Sequence, residues 1–282
     1  MTRVAVLGLG IMGHGIADNF LKNGYEVAVW NRSAQKAEGL VARGAWLARS
    51  VAEAVEGADL VFEVTANDES SRQVWLGGDG IIEHATQVQT LITCATLSVS
   101  WVDELAETCA QKELTFFDMP MTGGRAGAET GQLILLVGGN AEKLSELDPH
   151  LKKIASQVKH FGSVGHGMRY KLVLNALQSA HIAAFGEAMC LAEAMGLDVK
   201  KTGDALAERP GGVTTQMAWR GHQTHPNPIN FSVEWIAKDD HYALAHATAE
   251  EFPLLHDAMK YYDQALADGR AADDWTCIVR NS

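Results

Sequence analysis

Short apolar runs alternate with helical patterns in the first half of the chain. Residues 3–7 are typical of a buried strand, and the apolar spacing predicts a helix from Met12 to about Asn23, which Gly24 can end. A second helix is predicted at 34–43, and further strands at 26–30, 60–64, 88–94, 114–117 and 133–137. Strands separated by helices favour parallel pairing through right-handed crossovers. We therefore predict a doubly wound α/β domain over residues 1–163.

The pattern changes after Gly165, where strand signals stop and helical signals continue. Tyr170 to Met195 predicts one long helix of about 25 residues, roughly 40 Å at 1.5 Å per residue. More helices are predicted at 198–208, 232–248 and 253–268, with an irregular loop rich in proline and glycine at 209–230. The second half, residues 164–282, is thus predicted to be an all-helical domain that a long interdomain helix joins to the first.

Composition and charge narrow the classes of partner. The 282 residues include 35 acidic and 23 basic side chains, a formal net charge of −12. Such a chain repels nucleic-acid backbones and anionic lipid surfaces, although a local basic pocket can still bind a small anion. The four cysteines include no CxxC pair, which argues against a disulfide framework or a zinc site. With no leader and no apolar stretch of roughly 20 residues, we expect a reduced cytoplasmic protein.

A glycine motif follows the first predicted strand. Gly8, Gly10 and Gly13 fit GxGxxG at the start of a helix, with Ile11 and Met12 between the last two glycines. In this context the first glycine permits a tight turn, the second lets the backbone approach a pyrophosphate, and the third lets helix and strand pack closely. Free N–H groups and the positive end of the helix dipole then face the phosphates. The motif predicts a dinucleotide site in a Rossmann domain.

The end of the second predicted strand indicates which nicotinamide cofactor binds. A carboxylate there would bind the ribose 2′-hydroxyl of NAD, but this chain has Asn31, Arg32 and Ser33, with Lys36 one helical turn further on. A guanidinium can pair with a 2′-phosphate through two hydrogen bonds, Ser33 can donate another, and Lys36 adds positive charge. We therefore predict NADP(H). In the alternative, Arg32 is only a solvated surface charge.

Three later segments make the prediction specific. They are DMPMTGGRAGAETGQL at 118–133, GHGMRYKLVLN at 165–175, and Phe231 followed by Lys238-Asp239. With the two N-terminal motifs they resemble the β-hydroxyacid dehydrogenase family, in order and at family spacing, from about residue 3 to 275. The resemblance implies reversible, NADPH-dependent reduction of a small carboxylated aldehyde, of the semialdehyde or glyoxylate type, to the hydroxy acid.

Lys171 is the candidate general acid and base. Lys171 and Asn175 are four residues apart, so they share one face of the long predicted helix. Hydride delivery to an aldehyde carbon leaves negative charge on the oxygen, and Lys171 can donate a proton to that oxygen. The resemblance implies the same role for the lysine, with Asn175 assisting it.

The remaining candidate residues come from the resemblance. Thr122, Gly123 and Gly124 resemble the family's site for the substrate carboxylate, and backbone N–H groups in a glycine turn form a nest for an anion. The resemblance places Phe231 at the substrate. It also implies contacts with the cofactor by Thr96, at the end of the fourth strand, and by Lys238, with Asp239 orienting its neighbours.

The chain departs from the family pattern at three positions. Thr122 stands where the family usually has serine, and its extra methyl group is expected to narrow the pocket. Leu174 stands where the first of two asparagines is often found, and Asp240 where a leucine is common.

Two other functions remain as alternatives. An imine reductase uses the same scaffold, but its relatives commonly replace the lysine by an acid or a tyrosine, and this chain keeps Lys171. A catalytically silent cofactor-binding protein that acts through protein contacts is the alternative from another class. His222 and His225 have no obvious third ligand, so no metal is expected. The long, largely apolar interdomain helix has more apolar surface than one small domain can cover, which favours a homodimer or homotetramer; its apolar residues include Ile182, Phe185, Met189 and Leu191.

Overall fold

The computed structural model describes residues 2–208, 213–245, 248–250 and 252–279. The chain divides into two compact units, Met1–Lys171 and Leu172–Ser282. The first unit contains the strands and the second is helical. Each unit has its own hydrophobic core.

The first unit contains every strand of the sheet. The strands are β1 (Arg3–Leu7), β2 (Glu26–Trp30), β3 (Trp46–Leu47), β4 (Leu60–Glu63), β5 (Thr90–Thr93), β6 (Thr115–Asp118), β7 (Met121–Thr122), β8 (Leu133–Gly138) and β9 (Ala155–Gly162). The helices are α1 (Ile11–Lys22), α2 (Glu38–Val41), α3 (Val51–Val55), α4 (Asp68–Leu76), α5 (Ile81–His84), α6 (Val99–Gln111), α7 (Gly124–Thr130) and α8 (Ala141–Leu151).

The sheet confirms the predicted doubly wound arrangement. Its strand order is β3-β2-β1-β4-β5-β6-β8-β7, with β9 beside β8, and the pairs from β3 to β6 are all parallel. Alternate residues of β1 enter the cores on opposite faces, Val4 and Val6 on one side and Ala5 and Leu7 on the other. A parallel sheet is covered by helices on both faces, so the middles of these strands are largely apolar.

The first unit differs from the predictions in several details, and the two-residue strands β3 and β7 were not predicted. β8 pairs antiparallel with β6 and β7, because the chain returns through the short β7 and α7 rather than through a full crossover. The helix predicted at 34–43 is a 3-10 turn (Ala34–Ala37) followed by the four-residue α2. β9 was not predicted, since its mostly exposed sequence ASQVKHFG has no apolar run.

The second unit is helical, as predicted. Helix α9 (His166–Ala194) begins in the first unit and is followed by α10 (Val199–Ala207), α11 (Val213–Gln223), α12 (Val233–Leu244), α13 (Pro253–Ala267) and a 3-10 helix (Trp275–Val279). The predicted loop at 209–230 was wrong over 213–223, where α11 forms, and correct over 224–230. Residues 209–212 of that loop, and 246–247 of the helix predicted at 232–248, lie outside the described residues. Across the described ranges, no helix is long and apolar enough to cross a membrane.

Candidate functional site

Two glycines of the GxGxxG motif are required by the fold itself. Gly8 has a φ of 104°, and a Cβ there would overlap the Val64 carbonyl oxygen at the end of β4. A Cβ on Gly13 would overlap the carbonyl oxygen of Gly8, where α1 crosses the preceding turn. These positions explain why β1, the turn and α1 can pack so closely.

Gly10 is different, because the protein itself leaves room for a side chain there. Its φ of −71° suits any residue, and a Cβ would have no other atom within 4 Å. Gly10 is the N-cap of α1, which begins with no side-chain cap and no acidic residue in its first turn. The open space beside uncapped helix N–H groups fits a pyrophosphate, whose approach a side chain at Gly10 would obstruct.

Asn31 connects the glycine turn to the end of β2. Its Oδ1 accepts a hydrogen bond from the Leu9 N–H at 2.9 Å, and its Nδ2 donates to the Ser33 carbonyl at 2.9 Å. The amide of Asn31 thus fixes both segments. The side chains of Arg32 and Lys36 are exposed after β2, as is Ser33, whose hydroxyl donates to Gln35.

The Thr122-Gly123-Gly124 segment forms a sharp turn between β7 and α7. Gly123 has a φ of 119° and Gly124 a φ of 60°, so both adopt backbone conformations that other residues avoid. No atom lies within 4 Å of a Cβ built on Gly124, and both glycines are exposed. Successive residues in such conformations point their N–H groups to one side, which suits an anion.

Asp118, the last residue of β6, fastens the start of α9. One carboxylate oxygen accepts from the Gly165 N–H and the other from the Met168 N–H, each at 2.6 Å. The side chain is fully buried, and burial raises the pKa of Asp118 to about 6 although these two hydrogen bonds oppose the shift. The carboxylate caps the helix and also complements the positive end of its dipole.

Two more contacts hold the first turns of α9 to the first unit. Arg169 makes hydrogen bonds of 3.0 and 2.7 Å to both oxygens of Asp103 on α6. The Leu97 N–H donates to the sulfur of Met168 at 3.3 Å, which ties the segment just after Thr96 to the same turn. Lys171 follows directly on this anchored turn and is only 8% exposed. Thr96 is half-buried.

In the second unit, Asn175 and Asp239 form a buried pair. The Asn175 Nδ2 donates to Asp239 Oδ2 at 2.6 Å, and the Lys238 Nζ lies 2.8 Å from the other oxygen, Oδ1. Asp239 therefore contacts both Asn175 and Lys238 through its carboxylate. Phe231 is half-buried and packs against two tryptophan rings, Trp235 and Trp275, with centroids 5.9 and 5.8 Å away.

Two buried acids in the first unit were not predicted to have a role. Asp118 lies within a motif that the sequence analysis quoted, but its partners are 47 and 50 residues away along the chain. Glu63 ends β4, is fully buried, and accepts hydrogen bonds from Thr65, Trp75 and Thr93. Burial raises the pKa of Glu63, and the hydrogen bonds oppose this. The available sequence signal was an acid at the last position of an apolar strand.

Comparison with known proteins covers both units. The family model of the NAD binding domain of 6-phosphogluconate dehydrogenase matches residues 3–162. The model described as NAD-binding of NADP-dependent 3-hydroxyisobutyrate dehydrogenase matches residues 165–281. The two matches follow one another along the chain, with only residues 163–164 between them.

Individual relatives match nearly end to end. An NAD-dependent L-serine dehydrogenase of Pseudomonas aeruginosa is 30% identical, over 99% of this chain and 97% of that protein. A 3-hydroxyisobutyrate dehydrogenase of the same organism is 33% identical, over 88% of this chain and 86% of its own length. Among solved structures, the 3-hydroxyisobutyrate dehydrogenase of Mycobacterium tuberculosis with L-serine has a TM-score of 0.85 at 28% identity, covering 99% of this chain and 98% of that one.

Proposed function

The chain belongs to the β-hydroxyacid dehydrogenase family, and from this premise we propose that it is an NADPH-dependent reductase of a small carboxylated aldehyde, with Lys171 as general acid. Family membership makes it an oxidoreductase with an NAD(P)-binding Rossmann domain. The preference for NADPH, the substrate class and the role of the lysine are the proposal.

The contact that best supports the proposal is the capping of α9 by Asp118. Asp118 ends β6, and the chain reaches Thr122-Gly123-Gly124 only a few residues later. The Asp118 carboxylate also holds the turn of α9 that precedes Lys171, through two short hydrogen bonds. A single buried acid thus connects the segment suited to an anion with the helix that carries the proton donor. Such fixed geometry is what catalysis of a proton transfer requires.

In the proposed reaction, bound NADPH supplies a hydride to the aldehyde carbon. The N–H groups at Gly123 and Gly124 bind the substrate carboxylate. The Lys171 ammonium donates a proton to the carbonyl oxygen as negative charge develops there, and takes it back in the reverse direction. Asn175, one helical turn further along α9 and oriented by Asp239, assists the lysine.

The relatives' names support a substrate with a carboxylate and a nearby hydroxyl-bearing carbon. L-serine and 3-hydroxyisobutyrate, the compounds in those names, are both carboxylic acids with a hydroxyl group on the third carbon. We therefore propose that the product here is a short 3-hydroxy acid and that the aldehyde is the corresponding semialdehyde. Glyoxylate, which lacks the extra carbon, is the shorter alternative.

The main test measures oxidation of NADPH and NADH at 340 nm with a panel of acid semialdehydes, glyoxylate and one cyclic imine. We expect an acid semialdehyde to react with NADPH, and Lys171→Ala to lower kcat by at least roughly a hundredfold. Lys153→Ala removes an exposed lysine of the same unit and is the matched control. Turnover of the cyclic imine alone, or full activity of the Lys171 variant, would contradict the proposal. Nucleotide binding without any turnover would support the non-catalytic alternative.

The cofactor preference is tested by binding. We propose that exposed Arg32 pairs with the 2′-phosphate, because no carboxylate occupies the positions just after β2. Arg32→Ala is expected to weaken NADPH binding by about tenfold or more, since a charge-assisted hydrogen bond contributes roughly 1.5–3 kcal/mol, and to leave NADH binding nearly unchanged. Lys159→Ala, an exposed charge on β9, is the control. If the wild-type protein prefers NADH, the proposed preference for NADPH is wrong, and the cofactor is the one in the name of the NAD-dependent L-serine dehydrogenase.

The exposed apolar side chains of α9 suggest a homo-oligomer. In the second unit, Val173, Leu177 and Leu191 are 65%, 51% and 60% exposed and follow the helical repeat along one face. We propose that a second copy of the chain covers them. Light scattering at micromolar concentration should give a multiple of the monomer mass, and Leu177→Glu should lower it, whereas Leu254→Glu on α13 should not. A monomeric wild-type mass would rule this out.

A further inference from the structure

The fully buried carboxylate of Glu63 has a connected set of partners at the carboxyl ends of two strands. Its Oε1 accepts from the Thr65 N–H at 2.9 Å. Its Oε2 accepts from the Thr93 hydroxyl at 2.6 Å and from the Trp75 indole N–H at 3.3 Å. Glu63 ends β4, Thr93 ends the neighbouring β5, and Trp75 belongs to α4. Among the described residues, the groups that act on the Glu63 carboxylate are these hydrogen-bond donors, and none of them is basic.

Burying a carboxylate without a cation is costly, and a strand end needs no acid for packing. The three hydrogen bonds therefore indicate that Glu63 serves as the acceptor for donors buried at the ends of β4 and β5. Of the three donors, the Thr65 N–H is the one that the backbone turn leaving β4 presents. An N–H group buried without an acceptor is destabilising, so the carboxylate determines how this turn is oriented.

That turn is in direct contact with the glycine motif. The peptide between Val64 and Thr65 is the group that a Cβ on Gly8 would meet, with the Thr65 nitrogen 3.4 Å from it. Val64 also donates its N–H to the Leu7 carbonyl at 2.8 Å. The peptide that Glu63 holds is therefore one wall of the turn at Gly8.

The other wall of the turn is held by Asn31, through the Leu9 N–H. The glycine turn thus lies between a side-chain amide on the β2 side and a peptide fixed by a buried carboxylate on the β4 side. In an open α/β sheet, ligands bind outside the carboxyl ends of the strands at the point where strand order reverses, which here is between β1 and β4.

We propose that Glu63 is a positioning residue for cofactor binding, which fixes the Val64–Thr65 peptide against Gly8 and so keeps the glycine turn in the form that accepts a pyrophosphate. This inference rests on the NAD(P)-binding role of the first unit. Glu63 acts through the backbone and does not itself touch the nucleotide.

The experiment measures the Kd of NADPH and of NADP⁺ for the full chain, by fluorescence titration, together with the melting temperature. Glu63→Met keeps the volume but removes both acceptors, and its Kd is expected to rise about tenfold, equal to about 1.4 kcal/mol. Glu63→Gln keeps one acceptor for Thr65, and its amide nitrogen can donate to the Thr93 hydroxyl. Its Kd is therefore expected to stay within about threefold of wild type.

Ser71→Ala is the matched structural control. Ser71 is fully buried on α4, and its hydroxyl accepts a hydrogen bond from the Trp101 indole N–H at 3.0 Å, on α6 and not on β4 or β5. This variant is expected to lower the melting temperature without changing the Kd. Should Glu63→Met fail to fold, Thr93→Val replaces it, since it removes the shortest hydrogen bond to Glu63 and is expected to raise the Kd about threefold.

The outcomes separate the inference from the proposed function. A Kd within twofold of wild type for Glu63→Met, or for Thr93→Val in its place, would overturn the positioning role. So would an equal rise in Ser71→Ala, because the effect would then be a general loss of stability. A wild-type protein that binds neither NADPH nor NADP⁺ would overturn the cofactor proposal and this inference with it.

Discussion

Asp240, on α12, is a buried acid whose ionisation should destabilise the second unit. Asp240 is only 3% exposed. Burial raises the pKa of Asp240 from 3.8 to about 8, the charges of Asp239 and Asp263 add to the increase, and the nearby Ser179 hydroxyl opposes it. The native protein therefore binds this proton more tightly than the unfolded chain does.

The sign of the effect on stability follows directly. Below about pH 4 the carboxyl is protonated in both states and contributes no pH dependence. As pH rises from about 4 to 8, the unfolded chain loses the proton while the native state keeps it, so the free energy of unfolding decreases. Between pH 3.8, the ordinary pKa of the group, and pH 7, the free energy of unfolding falls by about 4 kcal/mol, at ~1.4 kcal/mol per pH unit. Relaxation around the acid and entry of water are expected to reduce this to about 2 kcal/mol.

Asp240→Asn removes the titrating group with little change in shape. Urea unfolding at pH 5, 6, 7 and 8, followed by tryptophan fluorescence and circular dichroism, should show that the variant's advantage grows with pH by about 0.5–1 kcal/mol per unit. Asp257→Asn on α13 changes an acid whose side chain is 65% exposed and is the control. An advantage for Asp240→Asn that stays constant from pH 5 to 8 would show that the acid is already ionised in the native protein.

The remaining predictions concern the first unit. Gly10→Ala should leave the free energy of unfolding within ~0.5 kcal/mol of wild type but raise the Kd of NADPH at least roughly tenfold. In contrast, Gly13→Ala should destabilise the protein by about 1–3 kcal/mol in urea unfolding, because its Cβ would overlap the Gly8 carbonyl oxygen. If Gly10→Ala and Gly13→Ala changed binding and stability equally, the separate roles of the two glycines would be contradicted. Asp118→Asn gives up one hydrogen bond to the start of α9, and kcat should fall about tenfold, or ~1.4 kcal/mol. Since the pKa of Asp118 is about 6, wild-type kcat should also decline below pH 6, and a variant that keeps this decline would assign it to another group.

Some features of this protein are encoded locally and were predictable from the sequence. β1 and β2 begin and end where apolar runs predicted them, and Gly24 has the positive φ expected just after a helix. The GxGxxG motif was informative because it lies between a strand and a helix. Lys171 and Asn175 are one helical turn apart on α9, as their spacing requires. Periodicity and backbone preference depend on near neighbours in the chain, so they can be read without a fold.

Only the tertiary structure decided the roles of residues whose partners are distant in sequence. Three glycines look alike in the motif, yet Gly8 and Gly13 serve packing against other segments, whereas Gly10 faces open space. Asp118 and Glu63 look like ordinary strand-end acids until the fold brings their donors to them, and those of Asp118 come from 47 and 50 residues away. Likewise, α11 lies between the prolines and glycines that predicted a loop, and its Trp219 is buried in the core of the second unit. Packing and hydrogen bonds between distant segments depend on the complete fold, and sequence periodicity carries no record of them.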